Sequence, residues 1–193
     1  MFCLPDVELI ARQRLLQDEA RRLASTLGIS ESLGLLGRVI PVGSAVTGLM
    51  VWRDVDFTVD APGATAVAVW DALAPLLRHC QALKYADETG DGVGETAPFE
   101  RHYFIFRIDG WKVDVTVWTN GAPEGVERYQ REVVERLDDE KRLAILRLKD
   151  AWHTRPEYPE IVGGFDIYEA VLEHGVRTPE QLERHLALTT RSA

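Results

Sequence analysis

Three aspartates carry the chemistry that this sequence offers most plainly. Asp54 and Asp56 stand two residues apart in the run DVDFTVD, where Val55, Phe57 and Val59 alternate with acidic or polar residues. Such alternation marks a strand with one buried face, and residues i and i+2 of a strand leave the same side of it. Asp114 lies in a second alternating run, WKVDVTVW, from Trp111 to Trp118. If the two strands are neighbours in one sheet, the three carboxylates converge. Like charges held together are unfavourable unless a cation sits between them, and hard divalent ions such as Mg²⁺ take oxygen ligands of this kind. Gly43-Ser44 ends the apolar run Val39-Ile40-Pro41-Val42. A glycine there lets backbone amides approach a phosphate, the serine hydroxyl adds a donor, and a following helix would add its positive N-terminal end. The plainer alternatives are a solvated edge strand for Asp54 and Asp56 and ordinary helix capping for Ser44 and Thr47. Asp60, at the strand end beside Pro62-Gly63, is expected to be solvated.

Taken in order, an apolar strand, Gly-Ser, nine residues, Asp-x-Asp and a later Asp in an apolar strand resemble the nucleotidyltransferase superfamily with the polymerase-β-like fold. VIPVGSAVTGLMVWRDVDFTV, from Val39 to Val59, is similar to that family's Gly-Ser motif and two-carboxylate strand. WKVDVTVW is similar to its third-carboxylate strand. The resemblance implies two-metal transfer of a nucleoside monophosphate from an NTP to a hydroxyl acceptor, with pyrophosphate leaving. Asp54 and Asp56 would hold Mg²⁺ on the phosphates. Asp114 would complete the second site and help remove the acceptor proton. Gly43 and Ser44 would hold the terminal phosphates. LKDAW, from Leu148, and GGFDIY, from Gly163, resemble the helical part of template-independent polymerases and oligonucleotide synthases, which implies Lys149 at the triphosphate and Tyr168 beside the nucleotide. From the residues alone, Lys149 reads equally as a solvated charge near Arg142 and Arg147, and Tyr168 reads as core. Thr47 stands where minimal antitoxin-type members carry an arginine. The alternative is an antitoxin-like or regulatory protein of this fold that acts on or masks a partner protein.

The elements that must position these residues are legible from periodicity and punctuation. Asp6 to Leu27 predicts a helix, with Asp6 as N-cap and Gly28 as stop. Thr65 to Cys80 predicts another, with Ala66, Val69, Trp70, Leu73 and Leu77 on one face, Pro75 kinking or splitting it, and Cys80 as a small buried hydrophobe. Leu83 to Glu88, His102 to Ile108 and Trp111 to Trp118 predict strands. Asp109-Gly110 is a two-residue hairpin turn between the last two. Asp87 to Pro98, acidic and rich in glycine, predicts a surface loop. Glu124 to Leu137, Asp139 to Trp152 and Asp166 to His174 predict helices. Thr178-Pro179-Glu180-Gln181 is a capping box that starts the last one. Trp111 and Trp118 are expected to pack. The five histidines show no ligand spacing, and His174 and His185 are expected at exposed helix ends.

The layout is α+β: a nucleotidyltransferase-like mixed sheet with packed helices, then a helical C-terminal part. At about 150 residues per domain, 193 residues make roughly one domain, read as a core with its N-terminal helix over 1–120 and a helical region over 121–193. Twenty-two Lys and Arg against 31 Asp and Glu give a net charge of −9. That balance argues against a surface for long nucleic acid and favours a small-molecule or protein hydroxyl acceptor beside the NTP. No run approaches the roughly 18–20 apolar residues of a membrane span. MFCLPDVELIARQR does not read as a secretory signal. Two cysteines, Cys3 and Cys80, form no disulfide framework, and a cytoplasmic location is expected.

Overall fold

Alternation yields strands where it predicts them in the computed structural model, which describes residues 4–89, 100–159 and 161–189. The strands are β1 (Arg38–Pro41), β2 (Asp54–Asp60), β3 (Ala82–Glu88), β4 (Arg101–Ile108) and β5 (Trp111–Trp118). They form one mixed sheet in the order β1-β2-β5-β4-β3. Only β2 and β5 run parallel; every other pair is antiparallel. Asp109 and Gly110, both at positive φ (49° and 78°), make the β4–β5 turn. The turn sets Ile108 opposite Trp111, and every pair back to Arg101 opposite Trp118 follows.

The described residues also hold eight helices: α1 (Asp6–Thr26), α2 (Ile29–Leu33), α3 (Ser44–Thr47), α4 (Ala66–Leu77), α5 (Val126–Arg136), α6 (Asp139–Trp152), α7 (Gly164–Leu172) and α8 (Pro179–Thr189). None is long and apolar enough to cross a membrane. The chain makes two compact units. A sheet unit comprises Asp18–Val46 and Arg53–Gln130; a helical unit comprises residues up to Gln17, Thr47–Trp52 and the chain from Arg131 on. Residues 120 and 121, where the sequence suggests a division, lie inside the sheet unit.

Within the sheet unit, one face is apolar and buried. Val55, Phe57 and Val59 of β2, Val113, Val115 and Val117 of β5, and Phe104, Phe106 and Ile108 of β4 form it. Helix α4 packs against β4 and α2, and Trp70 meets Phe104 edge-on at 5.0 Å between ring centroids. The opposite face carries Asp54, Asp56, Lys112, Asp114, Tyr103 and Arg101, so one set of strands supplies both a core and a polar platform. In the helical unit, α6, α7 and α8 pack on one another around Ile145, Leu148, Ile167, Val171 and Leu182.

Several local expectations are corrected. Pro75 stays inside a single helix that ends two residues later, and the buried face includes Ala72 and Leu76 rather than Ala66 and Leu77. Cys80 is only half-buried, because it lies beyond the helix end, with its Sγ toward the carbonyl of Ala82. Asp6 does not cap α1 but accepts from the guanidinium of Arg147 through both carboxylate oxygens. Thr47 ends α3 instead of capping its start and is buried. Of the acidic loop, Asp87 and Glu88 belong to β3, and residues 90–98 lie outside the described residues.

Candidate metal centre

The parallel register of β2 on β5 assembles the site within the sheet unit. Asp56 stands opposite Asp114 and Asp54 opposite Lys112. One carboxylate oxygen from each of Asp54, Asp56 and Asp114 lies within 4.8 Å of the others. The strands are neighbours, the condition the sequence left open, and the three aspartates meet on the polar face.

The two oxygens of Asp114 are not equivalent. Oδ2 accepts from the Tyr103 hydroxyl at 2.7 Å and from the Lys112 ammonium at 2.6 Å. Oδ1 is buried and has no hydrogen-bond partner among the described residues. A buried acceptor without a donor is costly. A residue with an unengaged acceptor of this kind, grouped with two further carboxylates, fits a hard divalent cation.

Lys112 also reaches Asp54 Oδ1, at 3.3 Å. Burial alone would push this ammonium down. The charges of Asp54 and Asp114 and the hydrogen bond to Asp114 outweigh it and hold the group above the ordinary lysine value. Burial raises the Tyr103 phenol, and its hydrogen bond to Asp114 and the surrounding carboxylate charges raise it further. Both groups thus remain donors at neutral pH.

The corner before the site is tightly built. Gly43 has φ +83°, and a Cβ there would lie 2.0 Å from Asp56 Oδ2. Glycine is required because the backbone passes so close to a carboxylate. Ser44 follows, buried, and opens α3. That helix is a single turn, so its dipole adds less than a full helix would. An open cleft of about 460 Å³ lies alongside, lined in part by Gly43, Asp56, Arg101, Tyr103, Asp114 and Thr116.

Lys149 and Tyr168 are in the helical unit. Lys149 is buried, and its Nζ donates to the Leu49 carbonyl at 2.8 Å and lies 3.2 Å from the Tyr168 hydroxyl. These two residues, singled out separately, touch each other. Asp60 accepts from the Ala122 amide at 2.9 Å and is not merely solvated.

No protein-family model matches the chain, and no curated protein matches it. Solved structures do. A cytoplasmic RNA terminal U-transferase superposes with a TM-score of 0.55 at 14% identity, over 86% of this chain and 51% of that one. The polymerase core of TRAMP, an RNA surveillance complex, gives 0.51 at 14%, over 87% and 56%. A GLD-2/RNP-8 complex gives 0.50 at 13%, over 94% and 71%. The fold is that of the polymerase-β-like nucleotidyltransferases. The chain spans about half the length of the first two of these neighbours.

Within this nucleotidyltransferase fold, sequence reasoning missed Lys112 and Tyr103. Each had a signal. Lys112 is two residues from Asp114 on an alternating strand, hence on its face. Tyr103 follows by counting back from the two-residue turn, which pairs it with Thr116, diagonal to Asp114.

Proposed function

We propose that this chain is a metal-dependent nucleotidyltransferase that moves a nucleoside monophosphate from an NTP to a hydroxyl acceptor. The reading is carried by the meeting of Asp54, Asp56 and Asp114 on the polar sheet face, with Asp114 Oδ1 left without a donor among the described residues. The acceptor oxygen bonds to the α-phosphorus, the bond to the β-phosphate oxygen breaks, and pyrophosphate leaves. Asp54, Asp56 and Asp114 would hold Mg²⁺, which supplies charge neutralisation at the phosphates and a more acidic hydroxyl. Asp114 would also help take the acceptor proton. Gly43 and Ser44 serve the terminal phosphates.

A small hydroxyl compound is the acceptor we favour, on the net charge of −9 and the modest cleft beside Asp114. The structural neighbours named for RNA make a short RNA the necessary comparison. The test incubates the protein with each labelled NTP, Mg²⁺ and panels of small alcohols, sugars and short RNAs, and follows pyrophosphate release. Asp54→Asn and Asp56→Asn should each lose at least about a hundredfold in turnover while keeping the fold. Turnover unchanged in either variant, or NTP binding that ignores Mg²⁺, would sink the proposal.

A further inference from the structure

The formal charge of the three carboxylates is −3, yet the site is not built for divalent ions alone. Lys112 enters from β5, opposite Asp54 and two residues before Asp114. It is buried, and its ammonium lies 3.3 Å from Asp54 Oδ1 and 2.6 Å from Asp114 Oδ2. It thus bridges carboxylates of two strands from a position on the same face. Resting on the metal-site reading above, we propose that Lys112 is a tethered cation that fills part of the carboxylate cluster and competes with divalent metal for it.

The physical case is one of charge and place. Three aspartates gathered at 4.8 Å would repel one another in the folded chain. An ammonium between Asp54 and Asp114 relieves that repulsion without an ion from solution, so the sheet can form before metal arrives. It also brings the formal charge to −2, which a single divalent ion balances. The oxygen that Lys112 and Tyr103 leave open, Asp114 Oδ1, is where an added cation still finds an unsatisfied acceptor. A polyphosphate brings negative charge of its own, so metal and nucleotide would bind the wild-type site more strongly together than separately.

Lys112 has no place among the ligands, so its loss should strengthen metal binding, the opposite of what a merely structural residue would do. Removing a unit charge a few ångströms from a divalent ion is worth about tenfold or more in affinity. Mn²⁺ alone, titrated without nucleotide and counted as free ion by electron paramagnetic resonance, reads this directly. Lys112→Met should bind Mn²⁺ about tenfold more tightly than wild type. Lys112→Arg, which keeps the charge, should stay near wild type, and Lys112→Gln serves as a second neutral variant if the methionine variant does not fold. Equal or weaker Mn²⁺ binding by the folded neutral variant overturns the role of Lys112. Asp54→Asn and Asp56→Asn separate the two readings. If they bind Mn²⁺ as wild type does, the metal site itself is wrong. If they lose it while the lysine variants change nothing, only the tethered cation is wrong.

Discussion

Gly43→Ala tests the corner with one added carbon. Gly43 holds φ +83°, where an L-residue carries roughly 1–2 kcal/mol of backbone strain. The new Cβ would lie 2.0 Å from Asp56 Oδ2 and 2.7 Å from its Cγ, whereas real Cβ contacts essentially never fall under 3.0 Å. The carboxylate must therefore retreat by about 1 Å, a misplacement that costs about a hundredfold in rate when the geometry is catalytic. The strain is a modest part of the roughly 5–15 kcal/mol that stabilises a typical domain, so the variant should still fold. We expect a small shift of the urea midpoint, a loss of about a hundredfold in NTP turnover, and weakened Mn²⁺ binding in the absence of nucleotide. The disproportion is the signature: a metal ligand has moved, while the core has not. A folded Gly43→Ala protein with wild-type Mn²⁺ affinity and turnover would refute the claim that this backbone corner fixes Asp56.

Two predictions address the scaffold. Asp138 caps α6, accepting from the Lys141 amide at 2.8 Å. Its hydrogen bonds to the Lys141 side chain and backbone hold its pKa below the ordinary 3.8, so its contribution is present above that value and lost as pH falls through the lower folded-state value. Asp138→Ala should melt below wild type at neutral pH, with the gap closing in thermal melts as pH falls below the ordinary carboxylate value. Phe104 is fully buried and meets Trp70, Tyr85 and Phe106; Phe104→Ala should cost about 3–5 kcal/mol by denaturant unfolding.

Much of this architecture is visible in the linear chain because its signals are local. Val55, Phe57 and Val59 declare a buried face, and that leaves Asp54 and Asp56 together on the other. Asp109-Gly110 declares both a turn and, through its length, the whole register of β4 on β5. Thr178 and Gln181 exchange backbone hydrogen bonds through their side chains as the capping box requires. Misreadings arose where a local signal competes with a distant partner. Asp6 is a good N-cap by type, yet Arg147, far along the chain, engages its carboxylate instead. The helical pattern that swept in Cys80 ends at Leu77, which leaves the thiol near the surface.

The parallel register of β2 on β5 is the feature that no local signal fixes, and the meaning of Lys112 depends on it. In WKVDVTVW a lysine reads as one solvated charge beside one acid. Alternation puts it on the face of Asp114, but only the pairing of Asp54 with Lys112 and of Asp56 with Asp114 turns two charged strands into a cluster with its own counter-ion. A slip of one residue would turn every side chain of β5 to the other face, burying Asp114 among the core residues. A slip of two would preserve the faces but move Lys112 opposite Asp56 or away from the pair. The valines exclude the first error through their burial; the second would change which charged side chains face one another across the two strands. The place of Lys112 thus depends on the register, since both of its contacts, to Asp54 and to Asp114, rest on the observed pairing of β2 with β5.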